Sequence, residues 1–198
     1  MRVLFTGASS FTGAWFVREL AAAGHEVTAV FTRPPDGYED PLRRERVELV
    51  SRHARAVHGV RFGDERFVEL AGGERWDLLA HHAADVTDYK SPAFDYVRAL
   101  GSNTHNLDAI LSALSAAGCR RVLLTGSVFE GGEGAGSEGL PDFSPYGLSK
   151  ALTARAFRFA CARAGLGLGK LVIPNPFGPL EEPRFTAYLM RNWLTGKT

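Results

Sequence analysis

A doubly wound α/β fold, a parallel sheet with helices on both faces, is the architecture this sequence predicts, and three observations predict it. Short apolar runs alternate along the chain with longer segments rich in helix formers. The first run, the helix after it and the second run complete a β-α-β unit by Thr32. The first junction of that unit is a glycine turn. Parallel neighbours need a crossover, and right-handed crossovers repeated in this way wind helices onto both faces of a sheet.

The elements follow in order. Arg2 to Thr6 reads as the first strand, ended by Gly7, and Phe11 to Ala23 as a helix stopped at Gly24. Glu26 to Thr32, with Val27, Val30 and Phe31, is the second strand, closed by the turn residues Arg33-Pro34-Pro35-Asp36-Gly37. Pro34 to Arg46 reads as a mobile polar loop, Val47 to Ala56 as a helix and Val57 to Phe62 as a third strand. Trp76 to Ala84 is the fourth apolar segment, and one long helical pattern runs from Pro92 to Ala117 before Gly118. Arg121 to Thr125 is the fifth strand, and a glycine-rich loop spans Gly126 to Gly139. Tyr146 to Ala164 is a second long helix capped by Gly165, and Leu168 to Ile173 is the sixth strand.

The 198 residues make room for one ordinary domain, or one domain and a fragment of a second. With 45% hydrophobic and 23% charged residues the chain is globular in composition. A net charge of +1 gives no whole-chain argument for binding nucleic acid or an anionic membrane. Cys119 and Cys161 make no disulfide framework, and no stretch approaches the ~18 apolar residues of a membrane span. A soluble, cytoplasmic protein with free thiols is therefore expected. His81 and His82 are neighbours on a strand, point to opposite faces and have no acidic or thiol partner at ligand spacing, so no metal is expected. Thr195-Gly196-Lys197-Thr198 echoes the end of a P-loop, but Arg191 stands where its first glycine belongs and a helical pattern precedes it.

The chemistry gathers at strand ends. Thr6-Gly7-Ala8-Ser9-Ser10-Phe11-Thr12-Gly13 joins the first strand to the first helix, where backbone N–H groups bind a pyrophosphate and glycine permits close approach. Arg33, at the end of the second strand, tilts a dinucleotide toward NADP(H), the bland alternative being a surface arginine entering a loop. Asp64 could meet the adenine edge or simply cap a helix. Tyr146 and Lys150 share one helical face a turn apart, so an ammonium can lower the phenol's pKa toward neutrality and fit it for proton exchange beside a hydride acceptor. Thr125 and Ser127 end the fifth strand, where a hydroxyl can bond the substrate oxygen or merely cap the loop.

With these residues in place, the sequence resembles the extended short-chain dehydrogenase/reductases, specifically their NAD-dependent epimerase/dehydratase branch, over essentially its whole length. The motifs are Thr6-Gly7-x-x-Ser10-x-x-Gly13, Asp64, Asp77 to Ala84, Thr125-Gly126-Ser127-Val128-Phe129, Tyr146-x-x-x-Lys150 and Asn175-Pro176-Phe177-Gly178-Pro179. The resemblance implies a Rossmann-like fold and an NAD(P) cofactor. Gly7, Ser10, Phe11 and Gly13 would line the pyrophosphate turn, Asp64 would touch adenine, and Ala83 and Ala84 would flank the cofactor. Tyr146 would be the acid/base, and Lys150 would hold the ribose and Tyr146's charge. Thr125 or Ser127 would orient the substrate, and Pro174 and Asn175 would lie near nicotinamide and substrate. The implied substrate is a nucleotide sugar or similar activated sugar, and the implied assembly is a homodimer paired through the two long helices.

Several positions depart from the family pattern. Ser10 replaces the middle glycine of the turn, Leu100 a common asparagine and Val172 a common arginine. Gly126-Ser127 stands where 4,6-dehydratases carry Asp-Glu, which disfavours that dehydration. Residues 1–174 are expected to form the dinucleotide domain and 175–198 the start of a substrate region that is largely absent. An epimerase-type oxidoreductase is the leading reading. An NADPH-dependent ketoreductase and a non-catalytic dinucleotide sensor stand as alternatives.

Overall fold

Six parallel strands form one sheet in the order β3-β2-β1-β4-β5-β6, the arrangement of two β-α-β-α-β halves that meet between β1 and β4. The computed structural model describes residues 1–134 and 142–196. Residues 135–139 of the expected glycine-rich loop, and Lys197 and Thr198 of the P-loop echo, lie outside them. In chain order the elements are β1 Arg2–Thr6, α1 Phe11–Ala22, β2 Glu26–Phe31, α2 Pro41–Ser51, β3 Arg55–His58, α3 Glu65–Gly73 and β4 Leu78–His81. They continue with α4 Tyr96–Asn103, α5 Leu107–Ala116, β5 Arg121–Ser127, α6 Pro145–Ala164, β6 Gly167–Ile173 and α7 Phe185–Leu194. The doubly wound, Rossmann-like architecture is the expected one.

Two apolar clusters form, one on each face of the sheet. Val3, Phe5, Val27, Ala29 and Phe31 meet Ala14 and Val17 of α1 and Val47 and Val50 of α2. On the other face Leu4, Val30, Leu79, Val122 and Leu124 meet Phe67 of α3, Ile110, Leu111 and Leu114 of α5, and Phe157 and Cys161 of α6. Burial on alternating sides along β1 is the period of two that a strand imposes.

Several expected boundaries move, among them the end of β5, which takes in Gly126 and Ser127 from the expected glycine-rich loop. The polar stretch read as a loop over Pro34 to Arg46 contains the start of α2, because Asp40 caps Arg43 N at 2.7 Å and Pro41 supplies a preset first helical residue. That helix stops at Ser51, so the expected helix over Val47 to Ala56 is cut short, and β3 begins at Arg55 and ends at His58 instead of spanning Val57 to Phe62. The fourth apolar segment contributes only Leu78–His81 as strand. The single helix expected over Pro92 to Ala117 is two. Asn106 takes a left-handed conformation with φ of 51° and donates from Nδ2 to Gly63 O at 2.6 Å, which separates α4 from α5.

Candidate functional site

The carboxyl ends of β1, β4 and β5 bring the expected residues together. Gly7 leaves β1 with φ of 80°, and a Cβ there would stand 2.7 Å from Ala83 N. A Cβ on Gly13 would stand 2.2 Å from Gly7 O. These two glycines let α1 and the end of β4 close on the turn, and the first-turn N–H groups of a helix have no acceptor within it. Ser10 caps α1 instead of only crowding it. Its hydroxyl donates to Gly7 O at 2.8 Å and accepts from Gly13 N at 3.1 Å. Phe11 is buried, and the Arg46 guanidinium lies 6.0 Å from its ring.

The two adjacent histidines take opposite faces. Nδ1 of His81 lies 2.9 Å from Thr6 Oγ1, and its ring sits between Phe62 and Phe157 with Nε2 unpartnered. His82 turns to α1 and to the end of β5, where its Nδ1 is 2.9 Å from Thr125 Oγ1. Burial and the Lys150 charge push both imidazoles down to about 3, so they are neutral.

Ser144 caps α6 by accepting from Gly147 N at 3.1 Å, with Pro145 as its first residue. Gly147 lets α6 approach the β5 loop, since a Cβ there would stand 1.9 Å from Phe129 O. Tyr146 is half-buried among Tyr89, Phe94 and Phe129. Its phenol is pushed up to about 12 by burial, then by the Glu130 and Tyr89 charges, while the nearby Ser127 hydroxyl acts the other way. This corrects the expectation that Lys150 brings the phenol toward neutrality. The Lys150 ammonium is buried and donates to Thr125 O at 2.6 Å, and its own pKa falls to about 8 through desolvation. Thr125 and Ser127 diverge in partners. Thr125 Oγ1 faces His82, whereas Ser127 Oγ accepts from Phe129 N at 3.3 Å on the Tyr146 side.

Glu130 belongs to this site although the motif reading passed over it. It is 2% exposed, accepts from Ser127 N at 2.7 Å and pairs with Lys170 at 3.0 Å. Gly126 makes room for it, since a Cβ there would stand 2.7 Å from Glu130 Oε1. Arg46 was equally silent. It is buried in α2, donates to Leu180 O at 2.8 Å and pairs with Glu182 at 2.7 Å. With Trp15 Nε1 donating to Pro179 O at 2.9 Å, it holds the 179–182 segment over α1.

The remaining expected residues follow the ends of β2, β3, β4 and β6. Arg33 is exposed and donates to Gly37 O at 3.1 Å. Asp64 stands just before α3 without a side-chain hydrogen bond to the helix, and its carboxylate accepts from Arg61 N at 3.3 Å. Ala83 N donates to Thr6 Oγ1 at 3.2 Å, and Ala84 follows it, half-buried. Pro174 and Asn175 are exposed just past β6.

A family model described as the NAD dependent epimerase/dehydratase family matches residues 3–198. The chain belongs to that family. Nothing among curated proteins matches it. Among solved structures it is similar to a UDP-glucose 4-epimerase of Thermotoga maritima determined with UDP-glucose, at 22% identity and a TM-score of 0.75, covering 100% of this chain and 64% of that one. A dTDP-glucose 4,6-dehydratase of Streptomyces venezuelae, DesIV, bound to NAD, is 24% identical with a TM-score of 0.72, covering 100% and 63%. MoeE5 in complex with UDP-glucose and NAD is 26% identical with a TM-score of 0.66, covering 99% and 62%. This member of the NAD dependent epimerase/dehydratase family thus spans less than two thirds of the length of these relatives. No helix among its described residues is long and apolar enough to cross a membrane.

Proposed function

We propose that this chain carries the dinucleotide and acid/base portion of an NAD(P)-dependent oxidoreductase of the epimerase type, acting on a nucleotide sugar or a similar activated sugar. The observation that carries the reading is the convergence of Tyr146, Ser127, Thr125 and Lys150 at the end of β5, beside a turn built for a pyrophosphate. Gly7, Ser10, Phe11 and Gly13 form a turn that would hold the dinucleotide, because the two glycines let β1, α1 and the end of β4 close tightly and the N–H groups of Phe11 and Thr12 at the helix start have no acceptor within the helix. Ala83, Ala84 and Pro174 would flank it, Asp64 would reach its adenine and Lys150 its ribose. Bound there, the dinucleotide supplies reversible hydride exchange.

Tyr146 exchanges a proton at the sugar hydroxyl oxygen. Its phenol is protonated in the free chain, and Lys150 is the cation available to stabilise the phenolate once the site fills. Ser127 joins Tyr146 at that oxygen, Thr125 flanks it and Asn175 lies toward the sugar. A Tyr146→Phe chain should bind dinucleotide as the parent does and lose turnover of UDP-glucose by at least a hundredfold. Retained turnover would refute the acid/base role of Tyr146.

Calorimetric titration with NAD⁺ and, separately, NADP⁺ tests the cofactor. Arg33 at the end of β2 supports a second reading, an NADPH-dependent ketoreductase, which tighter NADP⁺ binding and net NADPH consumption would identify. Binding of neither nucleotide would overturn both readings. Homodimerisation is part of the proposal, and sedimentation as a monomer at micromolar concentration would remove it.

A further inference from the structure

His82 has no part in the reaction outlined above, yet both of its nitrogens are engaged. Nδ1 lies 2.9 Å from Thr125 Oγ1, and Nε2 lies 3.1 Å from Ser10 Oγ and 3.0 Å from Thr12 Oγ1. Phe16 packs edge-on against the ring at 5.4 Å and Phe5 at 5.9 Å. One imidazole therefore joins the glycine turn at the head of α1 to the hydroxyl at the end of β5.

A proton count at Ser10 favours one direction for each bond, with the Thr12 hydroxyl turning a lone pair to Nε2 as a second acceptor. Ser10 has a single hydroxyl proton and donates it to Gly7 O, while its oxygen already accepts from Gly13 N. Toward His82 it offers only a lone pair, so Nε2 carries the ring proton. A neutral imidazole has one N–H, which leaves Nδ1 a lone pair, and the bond to Thr125 is made by the Thr125 hydroxyl donating. Double protonation is opposed by burial and by the Lys150 charge, which hold the ring neutral.

We propose that His82 is a positioning residue that, as the Nε2–H tautomer, draws the Thr125 proton onto Nδ1 and leaves the Thr125 oxygen to accept a hydrogen bond from a substrate hydroxyl. The inference rests on the reading of this site as one that receives a sugar, and it adds a preference within that reading. An alcohol oxygen brings the proton that Thr125 accepts, whereas a ketone oxygen would meet lone pairs with lone pairs. Because the same ring holds Ser10 and Thr12, filling the turn and orienting Thr125 become linked events.

Long-range proton–nitrogen NMR of the labelled full chain at pH 7 reads the tautomer directly, with His82→Gln identifying the resonances. The expected spectrum has a protonated, pyrrole-like Nε2 and a pyridine-like Nδ1 displaced upfield by the Thr125 hydrogen bond. In Thr125→Val, Nδ1 should move downfield to its unbonded position while Nε2 stays in place. An Nδ1–H tautomer or an imidazolium in the parent chain overturns the proposal, and the parent spectrum alone decides this if Thr125→Val does not fold. NAD⁺ titration of the same samples separates the two claims. Binding of NAD⁺ by a chain with the Nδ1–H tautomer sinks the role of His82 and keeps the functional reading. The Nε2–H tautomer in a chain that binds no NAD⁺ supports the His82 geometry and sinks the reading.

Discussion

The centre of the sheet and its β6 edge are built to different standards of closure. Around β1, β2 and β4, helices cover both faces, the strands are buried nearly throughout, and Gly7 and Gly13 leave no room for a methyl group. At β6 the covering is one-sided. Leu168 packs on the cluster beneath α6, while its alternate neighbours Gly169 and Leu171 are exposed on the opposite face, with no helix over them among the described residues. Parallel strands ordinarily lie buried on both faces. The contrast continues past β6, where α7 has no buried residue and exposes Phe185, Tyr188, Trp193 and Leu194. Tight closure lies on the side of the glycine turn, and openness on the side of β6 and α7.

Substitutions that fill space should break this contrast most sharply. Gly13→Ala sets a methyl against Gly7 O and should lower stability by about 3 kcal/mol or more in urea unfolding, because the obstacle is backbone and cannot swing aside. A loss under about 1 kcal/mol would mean that α1 slides freely on β1.

Acid should expose the same side next. His81 and His82 hold folded pKa values near 3 against an ordinary 6.5. Between those values the unfolded chain binds more protons than the folded one, so stability falls as pH drops from 6.5 toward 3 and is unaffected by these groups above 6.5. Each ring contributes a slope of up to about 1.4 kcal/mol per pH unit. His81→Phe, which keeps an aromatic ring between Phe62 and Phe157, should remove about 2 kcal/mol of the loss between pH 6.5 and 5 in thermal or urea titrations. An unchanged slope would show that His81 is not excluded from protonation.

The open side should be tolerant. Gly169→Ala meets only Leu123 Cδ1 at 3.4 Å, and Leu171→Gln alters an exposed strand position. Each should change unfolding free energy by no more than about 0.5 kcal/mol. A loss above about 2 kcal/mol for Leu171→Gln would place this face in a packed interface and erase the distinction.

What the sequence made legible follows the same division. β1, α1, β2, β5, α6 and β6 are apolar runs or long amphipathic segments bounded by Gly7, Gly24, Gly118 and Gly165, and local pattern sufficed for them. The start of α2 was masked by polar residues although Asp40-Pro41 is a helix-start signal. The break at Asn106 depends on a hydrogen bond to Gly63, which no periodicity encodes. In the site, the glycine turn and the Tyr146–Lys150 spacing were readable because each is local. Glu130 was not, because its importance comes from Lys170, 40 residues away, and from the room that Gly126 leaves. The expected depression of the Tyr146 pKa failed for a related reason. Spacing gave its distance along a helix to a cation, but burial and a carboxylate from another element set the charge balance.

Arg46 gives the molecule an order of assembly as well as a shape. Its contact with Leu180 joins residues 134 apart in sequence, and the Trp15 contact with Pro179 beside it joins residues 164 apart, so the chain must close long loops to make them. Closing so long a loop is entropically slow to be rewarded and follows the formation of local pairs. The strap over α1 should therefore lock among the last steps of folding, after α2 has docked, and be among the first contacts to open when the chain breathes.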